Sequence, residues 1–245
     1  VSGVPAFGMI PKSRKLKQTP HLENGSVLSE SFRTLHSNIF LKQPKAKTIL
    51  VSSSVPGEGK STVSCNLAAT AASWGWGEKV LLVDLDLRRP RVGEILGINP
   101  EQKGACDCLK GLCSIDDAIV SYPNYENFDV MVGGIDRFKN GLPDDRALAE
   151  LLKLVQTKYG RVIIDTAPVL AVNDTLVMAK HVDIVCLVFK MWKTPRKALA
   201  RALTQLEGNS SYPAGVISNF MPNRKGLGQY GYYYSYSGTG YQSYA

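Results

Sequence analysis

A β-branched run ending in small residues, a glycine-punctuated turn and an amphipathic helix follow one another in this chain, and that order constrains the fold more than any other feature. Residues 47–54 read KTILVSSS, residues 52–62 read SSSVPGEGKST, and Val63, Leu67 and Ala71 then share one helical face. Small residues let successive backbone N–H groups curl around a phosphate, and the helix that follows points its N-terminus at the same anion. Lys60 adds a cation between β- and γ-phosphates, and the Ser61 hydroxyl is suited to Mg²⁺. Pro56, Gly57, Glu58, Gly59, Lys60, Ser61 and Thr62 are therefore the candidate nucleotide loop. The usual pattern has glycine five residues before Gly59; here Ser54 stands there, and Pro56 and Gly57 supply the turn.

A strand feeding a phosphate loop and then a helix belongs to a parallel sheet, and the rest of the chain agrees. EKVLLVDLD, FDVMVGG, RVIIDTAP, VDIVCLVFK and AGVISN are short, near-continuous apolar runs, as expected of strands covered on both faces. RALAELLKLVQTKYG and PRKALARALTQLEG are helices between them, and LSESFRTLHSNIFL, with Leu28, Phe32, Leu35 and Ile39 at helical spacing, precedes them all. The expected architecture is a doubly wound α/β domain with a mostly parallel sheet over residues 26–225. Asp84 and Asp86 close one strand and Asp165 another, so their carboxylates are expected at the C-terminal edge of the sheet beside the loop. Open α/β sheets bind ligands there, and hard oxygens would hold Mg²⁺. A lone Asp after a strand is commonly a helix cap; three aligned with a phosphate loop are expected not to be caps.

Outside the domain lie two segments of different character. Residues 1–25 include the basic stretch PKSRKLKQTP, read as a linker lying against anionic lipid, with a merely solvated linker as the alternative. The first residue, Val1, points to a piece of a longer protein. Residues 226–245 interleave Gly, Ser and Gln with Tyr230, Tyr232, Tyr233, Tyr234, Tyr236, Tyr241 and Tyr244, without apolar periodicity, and are expected to be a mobile tail. Taken alone, such a tail is either a sticky low-complexity end or a place where phenolic hydroxyls are wanted. The net charge of +8 suits an anionic partner, but no basic stripe interleaved with aromatics and no reading helix supports nucleic acid. No apolar run spans a bilayer and no signal peptide opens the chain, so it is expected in the cytosol. The odd set of five cysteines fits a reducing compartment. In CDCLKGLC the thiols read as small apolar fillers in preference to a zinc site, which would lack a fourth ligand.

SSSVPGEGKSTVSCNLA, VLLVDLDLRRP and VIIDTAPVLAVNDTLVMAKHVD together resemble the Walker A, Walker A′ and Walker B motifs of the bacterial tyrosine kinases that control capsule and exopolysaccharide export, P-loop proteins of the MinD/ParA-like branch. SGVPAFGMIPKSRK resembles the segment after the second membrane span of polysaccharide co-polymerase fusions. The resemblance implies an ATP- and Mg²⁺-dependent protein-tyrosine autokinase. Lys60 would contact the γ-phosphate and Ser61 the metal, Asp84 would take the tyrosine proton, and Asp86 and Asp165 would organise Mg²⁺. Arg88 would help neutralise phosphate charge or form a surface salt bridge, and Asn219 matches the base-binding Asn or is a strand-end cap. The tail tyrosines would be the phosphoacceptors, modified in trans within a ring of identical subunits. Further implied are an N-terminally fused transmembrane co-polymerase domain, a cognate tyrosine phosphatase, and a place on the cytoplasmic face of the inner membrane. In the family a Glu-x-x-Arg-x-x-Arg helix packs on the neighbouring subunit; here Glu30 and Arg33 match but His36 replaces the second Arg, which would make the ring weaker or pH-sensitive. The alternatives are a MinD/ParA-like ATPase that positions a membrane complex and an interaction module that uses ATP only to assemble.

Overall fold

The computed structural model describes residues 3–13, 25–74, 77–123, 125–138, 144–209 and 213–222. Its eight strands are β1 (Ala6–Pro11), β2 (Thr48–Ser53), β3 (Val80–Leu85), β4 (Ile119–Ser121), β5 (Phe128–Met131), β6 (Arg161–Thr166), β7 (Ile184–Lys190) and β8 (Pro213–Met221). They form one sheet in the order β1-β8-β7-β2-β6-β3-β5-β4. Every pairing is parallel except β4 with β5. The strands expected from the apolar runs are all present. β2 and β3 are buried along their whole length because helices cover both faces; their middles are apolar, and the polar Thr48, Ser52, Ser53 and Asp84 are hydrogen-bonded.

Strand alternation sends neighbours to opposite faces. Ile49, Val51, Leu82 and Ile163 join one apolar cluster with Phe32, Leu35 and Ile39 of α1 (Val27–Lys42) and Val63 and Leu67 of α2 (Lys60–Trp74). Leu50, Leu81, Val83, Val162 and Ile164 face the other way. There they meet Leu148, Leu152 and Val155 of α6 (Asp145–Lys158) and Leu199, Leu203 and Leu206 of α8 (Arg196–Gly208). Each such Leu, fully buried, contributes on the order of 2 kcal/mol. Four short helices complete the layers: α3 (Val92–Leu96), α4 (Ala105–Leu109), α5 (Ile115–Ala118) and α7 (Asp174–Met178).

The linker expected over residues 1–25 needs correction at its first part. Ala6–Pro11 is an edge strand in parallel register with β8, pinned by Asn38 Nδ2 donating to the Phe7 carbonyl at 2.7 Å and by Phe7 and Ile10, which are fully buried. A six-residue strand containing Gly8 and ending in Pro11 has little periodicity to read, and proline is tolerated at a sheet edge. Most of the basic stretch lies outside the described residues, as does the whole 226–245 tail with its candidate phosphoacceptors. No helix among the described residues is long and apolar enough to cross a membrane.

Candidate active site

The loop between β2 and α2 is shaped by its own glycines and by one buried carboxylate. Gly57 and Gly59 sit at φ of 83° and 89°, a region costly for any residue with a Cβ. A Cβ on Gly59 would also stand 2.3 Å from Asn219 Nδ2. Glu58 turns inward: Oε2 accepts the Ser54 and Val55 amides at 2.7 and 3.0 Å, and Oε1 accepts the Thr194 hydroxyl. Thr194 in turn accepts the Lys190 amide at 2.8 Å. Expected as a phosphate-loop residue, Glu58 thus acts as a brace, joining the loop's entry to the turn after β7. Thr194 was not legible as its partner, being 136 positions away.

Parallel register puts Asp84 of β3 directly beside Asp165 of β6, and Asp86 follows one residue past the end of β3. Lys60, the first residue of α2, reaches across to both outer carboxylates: its Nζ is 2.8 Å from Asp86 Oδ2 and 3.6 Å from Asp165 Oδ2, and it donates to Ser61 Oγ at 3.2 Å. Burial pulls the Lys60 pKa down, but Asp165 and Asp86 outweigh it, so the ammonium is held more firmly than usual. Asp165 Oδ1 accepts the Ser64 hydroxyl at 3.1 Å, while Oδ2 is buried without a hydrogen-bond partner among the described residues. Burial raises the Asp165 pKa against the pull of Lys60.

Asp84 is fully buried. Its Oδ1 accepts the Asp86 amide at 3.1 Å, and its Oδ2 accepts the Arg91 and Val92 amides at 2.8 and 2.9 Å. The expectation that none of these carboxylates is a cap is therefore corrected for Asp84, which caps the start of α3. Burial first, then the charge of Asp165, raise its pKa to about 7. Both features make it a held but basic carboxylate.

The remaining candidates divide by position. Asn219, at 2% exposure, donates from Nδ2 to the Glu58 carbonyl at 2.9 Å and accepts the Phe220 amide at 2.8 Å. Its Nδ2 thus serves the loop and its Oδ1 the next amide along β8, and a second N–H and a second lone pair remain for a base contact. Arg88 forms a two-pronged salt bridge with Asp174, Nε to Oδ2 at 2.9 Å and a second guanidinium nitrogen to Oδ1 at 3.3 Å. That is the salt-bridge alternative for Arg88. Glu30, Arg33 and His36 lie elsewhere: with Trp74 and Arg161 they line a cleft of about 740 Å³ at the N-terminal edge of the sheet, opposite the loop. Arg33 pairs with Glu30 and lies 3.6 Å above the Trp74 ring. Burial and the nearby Arg161 lower the His36 pKa to about 4, so its ring is neutral at physiological pH.

Asp165 Oδ2, which lies 3.6 Å from Lys60 but accepts no hydrogen bond among the described residues, forms with Asp86 and the Ser61 hydroxyl a hard-oxygen set suited to a divalent cation. Residues 46–195 match the family model of the AAA domain. The tyrosine-protein kinase YwqD of Bacillus subtilis is 33% identical over 214 residues, covering 86% of this chain and 88% of that protein. The putative tyrosine-protein kinase EpsB of Ralstonia nicotianae is 32% identical over 227 residues, covering 87% of this chain and 29% of its own length. The kinase domain of the Escherichia coli tyrosine kinase ETK superposes with a TM-score of 0.82 at 25% identity, covering 92% of this chain and 93% of that one. MinD in the Aquifex aeolicus MinC:MinD cell division complex shares the fold, with a TM-score of 0.62 at 20% identity over 72% of this chain and 69% of that one.

Proposed function

The chain belongs to the bacterial tyrosine-protein kinases, and from that premise we propose that it phosphorylates the tyrosines of its own C-terminal tail, in trans, within a ring of identical copies. One observation carries the site assignment: Lys60 stands between Asp86 and Asp165 at the foot of a glycine-shaped loop, facing a buried carboxylate oxygen that no hydrogen bond among the described residues satisfies. Ser61, Asp86 and Asp165 would hold Mg²⁺, and the loop from Pro56 to Thr62 the phosphates. Bound Mg²⁺–ATP supplies the transferable phosphoryl group and a divalent positive charge.

The chain's own groups do the rest. Lys60 leaves its carboxylate partners for the phosphate oxygens and stabilises the charge that develops there. Asp84 takes the proton of the incoming phenol after giving up one of its amide bonds. A tyrosine hydroxyl ordinarily ionises near pH 10, and a base whose pKa lies near neutrality is better matched to that transfer than an ordinary carboxylate. The acceptors are Tyr230, Tyr232, Tyr233, Tyr234, Tyr236, Tyr241 and Tyr244, and the Glu30/Arg33/His36 helix supplies the contact between copies. The reaction regulates capsular or exopolysaccharide synthesis and export at the cytoplasmic face of the inner membrane. There the chain works with an N-terminally joined transmembrane co-polymerase domain, an anionic lipid surface under the basic stretch, and a cognate phosphatase. That the chain spans 29% of EpsB supports a kinase carried as one part of a longer protein.

The test is incubation with ATP and Mg²⁺ and detection of phosphotyrosine. Lys60→Met is expected to lower the rate at least a hundredfold, corresponding to about 3 kcal/mol of transition-state stabilisation. Full-length Lys60→Met mixed with an active chain lacking residues 226–245 is expected to acquire label on its tail. No label in that mixture means transfer strictly within one chain, and no label in the parent protein favours the MinD/ParA-like ATPase instead.

A further inference from the structure

Helix α4 closes with a turn that folds one cysteine onto another. Gly111, just past the Lys110 cap, takes a φ of 71°, and its amide donates to the Cys108 carbonyl at 2.9 Å while the Leu112 amide donates to the Asp107 carbonyl at 2.8 Å. This pair of bonds is a Schellman motif, which reverses the chain at a helix end. The next residue, Cys113, is thereby turned back on α4, and its Sγ lies 3.4 Å from Sγ of Cys108. Ser114 then caps α5, so the chain is anchored on both sides of the pair. Cys108 and Cys113 are half-buried, whereas Cys65, Cys106 and Cys186 are buried. Among the described residues no group of three or more potential ligands surrounds the thiols as a metal site would need.

We propose that Cys108 and Cys113 are a modification site, a dithiol that a hydroperoxide converts reversibly to a disulfide, locking the turn between α4 and α5. A disulfide needs about 2.0 Å between sulfurs, so the pair must close by about 1.4 Å, within reach of side-chain rotation in a turn. Cys108 is held as a thiol, its Sγ donating to the Ser114 carbonyl at 3.3 Å and burial pushing it up to about 12, so it is the resolving partner. The Cys113 sulfur breaks the O–O bond and takes one oxygen as a sulfenic acid, and the other leaves as hydroxide, which the proton given up by the Cys113 thiol converts to water. Cys108 then attacks that sulfur; the S–S bond forms, and hydroxide leaves with the Cys108 proton as a second water. Two thiols lose two electrons and one hydrogen peroxide becomes two waters. The locked segment is structural to its surroundings: Asp107 of α4 accepts the Gly104, Ile135 and Asp136 amides, and the Cys106 thiol faces the Leu87 carbonyl at 3.9 Å, next to Asp86.

The experiment treats the full chain with hydrogen peroxide, blocks free thiols and digests with trypsin, which cuts after Lys110. The expected result is a mass loss of about 2 Da and peptide 104–110 joined to peptide 111–137 through Cys108 and Cys113, both undone by dithiothreitol. Cys106→Ser is expected to keep the link and Cys113→Ser to lose it. Amide exchange at Gly111 and Leu112 should slow severalfold on oxidation. No cross-link under peroxide, a link made through Cys106, or unchanged exchange at the turn overturns the proposal. None of these readouts depends on kinase activity.

Discussion

Replacing Glu58 by Ala tests whether the nucleotide loop is held by its brace. Glu58 is 2% exposed, and its carboxylate satisfies the Ser54 amide at 2.7 Å, the Val55 amide at 3.0 Å and the Thr194 hydroxyl. Alanine leaves three donors without acceptors. Each costs about 1–3 kcal/mol when buried, and the recovered desolvation of the carboxylate offsets part of the sum. The expected net loss is about 3 kcal/mol. With a denaturant slope of about 3 kcal/mol per molar urea for a chain of this size, the unfolding midpoint falls by about 1 M. Glu58→Gln keeps one oxygen for the two amides, loses only the Thr194 bond, and is expected to cost about 1 kcal/mol. Urea titrations followed by tryptophan fluorescence measure both, and nucleotide affinity should fall in the same order. A Glu58→Ala protein as stable as the parent would refute the brace. Equal damage from Gln and Ala would show that the charge, and not the count of acceptors, holds the loop.

Asp84, with its pKa raised by burial, binds more protons folded than unfolded between about pH 4 and 7. It therefore lowers stability as pH rises through that window, and Asp84→Asn should remove this decline while abolishing most phosphotransfer. His36, with its pKa lowered, acts in the opposite sense: stability is lost as pH falls from about 6.5 toward 4, His36→Gln should flatten that loss, and self-association measured by sedimentation should not change between about pH 6 and 8. Gly59→Ala should cost at least about 1–2 kcal/mol from backbone strain alone and displace the Asn219 amide, seen as a lower melting temperature and weaker nucleotide binding. Phosphorylating four tail tyrosines adds roughly −6 to −8 against the formal +8, so the phosphorylated protein should sediment as smaller oligomers than the dephosphorylated or tail Tyr→Phe forms, less so at high salt.

What was legible in the sequence was what local spacing and burial impose. Strands covered on both faces are apolar for most of their length, so β2, β3, β5, β6, β7 and β8 announced themselves, and the Gly59-Lys60-Ser61 triplet could be placed between a strand and a helix without any tertiary information. β1 could not be read, because what makes Ala6–Pro11 a strand is β8, more than 200 positions away, together with the Asn38 side chain on α1. The short helices α3, α4, α5 and α7 have too few residues to show a period.

The site separates in the same way. Which carboxylates gather at the sheet edge follows from where strands end, and parallel register then sets Asp84 beside Asp165. What each one does there depends on donors that the strand pattern does not name. Asp84 meets the start of α3 and becomes a cap with a raised pKa, Asp86 meets Lys60 on one oxygen and the Arg89 amide on the other, and Asp165 faces Lys60 with an oxygen that no hydrogen bond among the described residues satisfies. The same residue type at three positions on two adjacent strand ends is thus given three environments, and environment decides proton affinity. A carboxylate that must accept a proton and carboxylates that must hold a cation cannot share one electrostatic setting. The division seen here, both Asp84 oxygens tied to amides while Asp86 and Asp165 each turn one oxygen toward the Lys60 ammonium, gives the site both kinds.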